Sequence, residues 1–349
     1  MTNNGFSVIG TVGVPACYGG FESLVENLVP SSKVSLIYCS SKAYEVKARI
    51  YKGTPLKYLP FNANGAQSVI YDLVSIFHSL IFTRNHLLIL GVSGSIAIPI
   101  FKLFSNRKVV TNIDGLEWKR DKWGRFSKWF LKFSERIAVK FSDVTICDSQ
   151  VISDYVEDTY GVFSSVIAYG GDHAVRSNIK PFESTEKYGL AICRIEPENN
   201  VEMILKAFSC SQASKILFIG NWDNNEYGIL LKQKYGSYEN ISLLDPIYDL
   251  DSLFKIRTGC SYYVHGHSAG GTNPSLVEMM HFNKPIIAYD CVYNRSTMDG
   301  HGSFFSSAAD LNKLIDSLNV LPGGDELGRI ARERYTWNVI REKYLHLFD

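Results

Sequence analysis

The chain has 349 residues, 46% hydrophobic and 20% charged, with a formal net charge of +1. That balance excludes a disordered protein, allows two domains with their own cores, and argues against nucleic acid as a partner. Seven cysteines are scattered and never fall in CxxC spacing, so they read as reduced, buried thiols and not as a zinc site or disulfide framework.

Met1 to Gly5 is polar, and no export leader is expected there. Short runs rich in Val, Ile and Tyr predict strands at 6–10, 34–39, 56–61, 86–90, 108–113, 143–147 and 165–170. A second set follows at 188–193, 215–220, 261–266 and 285–290, and helical spacing fills most of the gaps. Alternation of this kind predicts an α/β chain of two doubly wound parallel sheets with helices on both faces. The most apolar stretch, 69–104, is interrupted by Asp72, His78, Arg84, Asn85 and His86. It never accumulates about 20 clean apolar residues, so no spanning helix is expected and the chain reads as cytoplasmic.

The polar segment 178–187, which contains Pro181, marks the expected boundary. The reading is a first domain over 1–180, a second over 181–330, and a closing helix over 331–349 that returns to the first. Parallel sheets carry ligands at the carboxyl ends of their strands, so a cleft between the domains is the natural place for a site.

Two glycine-rich loops stand between a strand and a helix. The first, GTVGVPACYGG, contains Gly10, Gly13, Gly19 and Gly20. It is either a tight turn or a cradle whose N–H groups approach an anion. It matches neither a dinucleotide fingerprint nor a Walker loop. The second is HGHSAGGTNPSLVEMM over 265–280. Asn273 and Pro274 suit the cap and first position of a helix. Ser275 to Glu278 alternatively has the spacing of a capping box. If the loop is functional, the Ser275 and Leu276 N–H groups face a diphosphate and Glu278 accepts from a ribose diol.

IGTVGVPACYGGFESLVENLV resembles the amino-terminal signature of a bacterial glycosyltransferase group related to family 4, whose members include rhamnosyltransferases. NIDGLEWKRDKW, CRIEPENN, HGHSAGGTNPSLVEMM and YTWNVIREKYLHLF resemble its other blocks, in the family's order along the whole chain. The resemblance implies a GT-B fold of two Rossmann-like domains. It implies a donor nucleotide sugar held by the second domain through Arg194, Ser275, Leu276 and Glu278, with Glu198, Gly271 and Thr272 as further donor candidates, while His265 is either a site contact or a satisfied core histidine. Acceptor and phosphate contacts would come from Gly13, Gly19, Gly20, Glu117, Lys119 and Arg120. The chain departs from wider family 4 enzymes in two places. Gly270 stands where they carry a first glutamate, and Glu198, Asn199 and Asn200 stand where a lysine is common.

Three residues are candidates for the chemistry. Asp114 follows a strand and is either a base for an acceptor hydroxyl or half of an Asp-Gly turn. Asp148 either reaches the site or caps the next helix. Tyr169 is read at a strand end, where its hydroxyl contacts a ligand or the ring is half buried. Asp249 and Asp251 form a DxD match read as acids in a helix's first turn, so no metal and no cofactor is expected. Residues 118–140 hold eight Lys or Arg against two acids, interleaved with Trp118, Trp123, Phe126, Trp129, Phe130 and Phe133. Such a helix suits an anionic membrane surface.

The reading that follows is a retaining glycosyltransferase, peripheral on the inner face of the bacterial plasma membrane. By resemblance it moves L-rhamnose from dTDP-rhamnose to a lipid-linked saccharide in cell-surface polysaccharide (O-antigen or capsule) synthesis. The alternatives are a nucleotide-sugar epimerase of the same architecture and a non-catalytic sugar-binding partner of other transferases.

Overall fold

The computed structural model describes residues 5–17, 19–119, 123–211, 214–317 and 321–349. The chain divides into two compact units, one of residues 1–168 with 340–349, the other of residues 169–339. The division falls at Ala168/Tyr169, ahead of the polar stretch around Pro181 that composition marked. The chain enters the second unit as a buried, glycine-containing segment and becomes polar only later, so composition lags behind the packing.

Unit 1 contains strands β1 (Phe6–Ile9), β2 (Val34–Ser40), β3 (Ile50–Tyr51) and β4 (Thr54–Leu59). It continues with β5 (His86–Leu90), β6 (Val109–Asn112), β7 (Val144–Cys147) and β8 (Ser165–Val166). Its helices are α1 (Gly20–Leu28), α2 (Gln67–Phe82), α3 (Ile98–Phe104), α4 (Arg125–Phe141) and α5 (Gln150–Tyr160). The sheet order is β3-β4-β2-β1-β5-β6-β7-β8, parallel except for the β3–β4 pair. Ile9, Tyr38, Tyr71, Ile89 and Phe101 lie in its core. Order reverses between β1 and β5, which places a crevice beside the loops that follow those two strands. The chain's last residues close this unit: Phe348 stacks on Phe6 with ring centroids 4.2 Å apart, and Lys33 pairs with Asp349.

Unit 2 contains β9 (Tyr188–Ile192), β10 (Lys215–Ile219), β11 (Ile241–Leu244), β12 (Tyr262–His265), β13 (Ile286–Tyr289) and β14 (Ser303–Phe305). Its helices include α6 (Val201–Ser209), α7 (Glu226–Tyr235), α8 (Leu250–Gly259), α9 (Pro274–Met280) and α10 (Val292–Thr297). They continue with α11 (Ala308–Asp316) and α12 (Asp325–Arg334), and a last helix, α13 (Trp337–His346), follows. All neighbours in the order β11-β10-β9-β12-β13-β14 are parallel. Phe208, Phe218, Trp222, Tyr262 and Ile287 are buried at its centre. The reversal here lies between β9 and β12, beside the loops carrying Arg194 and the 266–273 turn. β3, β11 and β14 escape the sequence reading, and each lies at a sheet edge where little apolar pattern is needed. The run at 165–170 is a strand only over Ser165–Val166, so Tyr169 lies beyond it.

Candidate active site

In unit 2, Asn273 caps α9, its Oδ1 accepting from the Ser275 N–H at 3.1 Å and the Ser275 Oγ at 2.8 Å. The capping box from Ser275 to Glu278 does not form, because the helix begins two residues earlier. The Ser275 and Leu276 N–H groups are also not free for a diphosphate. The first is spent on the Asn273 side chain and the second on the Asn273 carbonyl at 3.1 Å. Leu276 is fully buried, and Tyr263 donates to the Ser275 Oγ at 3.3 Å.

Glu278 is instead the centre of an ionic cluster. Its Oε2 accepts from Nη2 of Arg257, a residue of α8 that is 4% exposed. Its Oε1 lies 3.2 Å from Nε2 of His173. The Trp337 indole N–H donates to His173 Nδ1 at 2.9 Å, which leaves the ring proton on Nε2, directed at the carboxylate. Burial, the largest influence on Glu278, would raise its pKa, but Arg257 and His173 outweigh it and hold the group below the usual value. Glu278 is therefore an ionised acceptor at neutral pH with lone pairs still available. Gly171 lets the 169–173 segment approach α9: a Cβ there would lie 2.7 Å from the Glu278 N.

The two loops at the unit 2 reversal are stitched together. Asn200 Nδ2 donates to the Gly266 carbonyl at 2.8 Å, and the Ser268 Oγ to the Glu198 carbonyl at 2.7 Å. Asn199 Nδ2 donates to the Arg194 carbonyl at 2.7 Å. The Asn199–Asn200 pair thus holds loop shape. Arg194 is 54% exposed and its nearest acid, Glu196, is 4.0 Å away, so its guanidinium can swing to a phosphate. Gly270 has φ +102° with open space around the missing Cβ. The backbone itself disfavours a side chain there. Gly271 lies beside it in the turn, and Thr272 is buried.

His265, 1% exposed, has no hydrogen-bond partner at either ring nitrogen and stacks on His267 at 4.4 Å. Burial, then His267, holds its pKa well below the ordinary histidine value. The DxD acids act as read: Asp249 caps α8, accepting from the Ser252 N–H at 2.9 Å, and Asp251 accepts from Arg176 Nε at 3.0 Å. Among the described residues no group of three or more His, Cys, Asp or Glu could hold a metal ion.

In unit 1 the first glycine loop is not an open anion cradle. Glu22 fills it, with Oε1 accepting from the Val12 N–H at 2.7 Å and Thr11 Oγ1 at 2.9 Å. Its Oε2 takes the Gly19 N–H at 2.8 Å, and Glu26 takes the Ala16 N–H at 2.9 Å. The Gly13 N–H donates to Thr11 Oγ1 at 3.3 Å, and Gly20 is the first residue of α1. These amides already hold carboxylates, so a phosphate would meet negative charge there.

Asp114 adopts φ +62° just past β6, and its N–H donates to Asn112 Oδ1 at 2.8 Å. The turn is present, but it is Asp114 that holds the left-handed conformation. Asn112 Nδ2 donates to Tyr344 OH at 2.7 Å. Asp148, 2% exposed past β7, is not the cap of α5: that position is Ser149. Burial raises the Tyr344 pKa, Asn112 opposes the rise, and both Asp148 and Asp114 add to it. Tyr169, 6% exposed, belongs to unit 2. Glu117 accepts from Trp123 Nε1 at 3.0 Å, and Lys119 lies over the Trp118 ring at 5.5 Å. Arg120 lies outside the described residues.

The basic aromatic segment divides into two faces. Trp118 and Trp123, both half-buried, donate their indole N–H groups to Glu135 and Glu117. Phe126, Trp129 and Phe133 are 77%, 61% and 44% exposed on α4 and stack along it. Arg257 and His173 were invisible in sequence. A buried arginine implies a buried acid, but nothing local says which one.

Residues 3–172 match the family model described as Domain of unknown function (DUF1972). Residues 175–321 match the model described as Glycosyl transferases group 1. No curated protein matches the chain. Sucrose-phosphate synthase from Thermosynechococcus elongatus is similar in structure, with a TM-score of 0.79, 12% identity, and 99% and 98% of the two chains covered. HepE from Anabaena, solved with UDP and glucose, gives a TM-score of 0.70 at 13% identity, covering 99% of each chain. The lipopolysaccharide outer core galactosyltransferase WaaB, in its apo form, gives 0.67 at 15% identity, covering 98% of each. The two α/β units thus form a GT-B fold of Rossmann-like domains. Residues 175–321 carry a group 1 glycosyltransferase domain, and that match supports a glycosyltransferase.

Proposed function

We propose that this glycosyltransferase moves L-rhamnose from dTDP-rhamnose to a lipid-linked saccharide with retention of anomeric configuration. The observation that carries the donor site is Glu278, kept ionised by Arg257 and His173 beside the stitched loops of the unit 2 reversal. Two of its roughly four lone-pair directions are used. The rest suit the sugar hydroxyls of a nucleotide: one on the 2′-deoxyribose of dTDP, two on a ribose. That HepE was solved with UDP and glucose supports a nucleoside diphosphate donor. The resemblance of 193–200 and 265–280 to rhamnosyltransferase blocks supports the sugar.

With the Ser275 and Leu276 amides engaged, Arg194 carries the diphosphate charge, its fork matching phosphate oxygens. The bond from the sugar's anomeric carbon to the diphosphate breaks as the acceptor oxygen bonds on the same face. The acceptor proton passes to the departing diphosphate. Arg194 stabilises the charge that develops there, and no protein nucleophile is required. Asp114 and Asp148, at the ends of adjacent strands, orient the acceptor hydroxyl.

A lipid-linked acceptor suits a peripheral enzyme of the inner membrane face. Among the described residues no helix is long and apolar enough to cross a membrane. The exposed Phe126, Trp129 and Phe133 ridge, flanked by Arg125, Lys132, Arg136 and Lys140, favours an anionic lipid surface. Leu103 and Phe104 of the neighbouring α3, 77% and 71% exposed, add apolar area.

A panel of dTDP-, UDP- and GDP-sugars with a lipid-linked monosaccharide, read by mass spectrometry, tests the proposal. A mass gain of one deoxyhexose on the acceptor from dTDP-rhamnose alone is expected. Conversion of a donor without acceptor would establish an epimerase instead, and donor binding with no turnover a non-catalytic partner.

A further inference from the structure

Glu135 lies on the buried side of α4, 1% exposed, opposite the aromatic ridge. Its Oε2 accepts from Trp118 Nε1 at 3.0 Å. Its Oε1 accepts from the hydroxyls of Tyr155 at 2.8 Å and Tyr160 at 2.7 Å, both on α5. Burying a carboxylate is costly unless it is fully hydrogen-bonded, so three converging donors mark a built arrangement. The donor contributed from outside the two helices is Trp118, in the short 3-10 helix Glu117–Lys119, four residues past Asp114. Two lysines lie over the same indole: Lys132 Nζ is 4.5 Å from its centroid and Lys119 Nζ 5.5 Å. The residue before Glu135 repeats the pattern, since the fully buried Ser134 donates its hydroxyl to the Val92 carbonyl in the loop after β5. One turn of α4 therefore holds both strand-end loops, after β5 and after β6.

We infer that Glu135 is a positioning residue for the acceptor, fixing the 113–119 segment, and with it Asp114, through the Trp118 indole. The inference rests on the reading of Asp114 as an acceptor contact. Glu135 touches no reacting atom. It acts by holding Trp118, whose backbone continues into the Asp114 turn, and the Asn112 to Tyr344 bond holds the other end of that turn. Released at Trp118, the segment stays tethered at Asn112 and Ile113 and loses the anchor nearest its far end.

The test uses the full chain with Glu135→Gln, Trp118→Phe and Asp114→Asn. Hydrogen exchange of a peptide covering 113–119 is measured beside KM for the acceptor and for the donor. Loss of one charge-assisted hydrogen bond predicts roughly tenfold faster exchange and a roughly tenfold higher acceptor KM in Glu135→Gln. Donor KM should stay within about twofold. Trp118→Phe keeps an aromatic ring beside the lysines but removes the indole N–H, and should reproduce both effects, which covers the case in which Glu135→Gln does not fold. Exchange unchanged in folded variants, or donor and acceptor KM rising together, would overturn the inference. If Asp114→Asn leaves acceptor kinetics untouched while exchange still responds to Glu135→Gln, it is the acceptor reading of Asp114 that fails, and the kinetic role of Glu135 with it.

Discussion

Arg257 and Glu278 form an ion pair inside unit 2, with side chains 4% and 15% exposed. Removing one partner of such a pair leaves an uncompensated charge, at a cost of about 3–5 kcal/mol, whereas replacing both is often close to neutral. Arg257→Met should therefore lower stability strongly, and Arg257→Met with Glu278→Gln should recover most of the loss in chemical denaturation. A pair that tolerates Arg257→Met alone would show that Glu278 does not depend on it.

The pair also sets a pH dependence. Glu278 has a lowered pKa when folded, so its contribution is complete above its ordinary value near 4.5 and is lost as pH falls through the folded value. Neutral and mildly acidic solutions should leave it intact.

Asp72 gives the opposite sign. Burial, opposed by hydrogen bonds from Ser93 and the Gly94 N–H, pushes its pKa up to about 7. A raised folded pKa favours the protonated form, so its contribution is present below about pH 4 and is lost as pH rises through 7. Asp72→Asn should gain stability over wild type between pH 4 and 8, most at the upper end, when melting temperatures are compared across that range. Equal pH profiles for the two proteins would contradict the burial.

Gly270 occupies a backbone conformation that L side chains rarely adopt, with no steric obstacle around it. Gly270→Glu, which places an acid where the resemblance to family 4 enzymes would put one, should cost about 1–3 kcal/mol from backbone strain. It should not raise activity, because a side chain at φ +102° strains the turn that leads into α9. Activity above wild type would show that the missing acid is a loss of function.

The exposed ridge of α4 predicts binding to anionic vesicles. Arg136→Glu with Lys140→Glu should weaken flotation with phosphatidylserine vesicles by at least about thirtyfold, at ~1 kcal/mol per basic residue lost. Phe126→Ser with Trp129→Ser should weaken binding to neutral and anionic vesicles alike. Flotation unaffected by either pair would remove the lipid surface from the account.

Much of the fold was legible because a parallel sheet writes itself as short apolar runs, and 86–90 or 143–147 needed nothing more. The edge strands β11 and β14 left too little pattern. At the site, sequence located the turn before α9 and Glu278, since glycine, an Asn-Pro cap and a lone acid are local signals. It could not find Arg257 or His173, which reach Glu278 from 21 and 105 positions away through tertiary packing. It left the first glycine loop open between a tight turn and an anion cradle. Glycines announced close approach, but the group that approaches is the chain's own Glu22.

The central claim is that Glu278 and Arg194 hold the donor. Calorimetric titration of wild type, Glu278→Gln and Arg194→Ala with dTDP and dTDP-rhamnose tests it directly. The account predicts at least about tenfold weaker binding of both ligands in each variant, the loss of a charge-assisted hydrogen bond, with melting showing the proteins folded. Wild-type affinity in folded Glu278→Gln would contradict it.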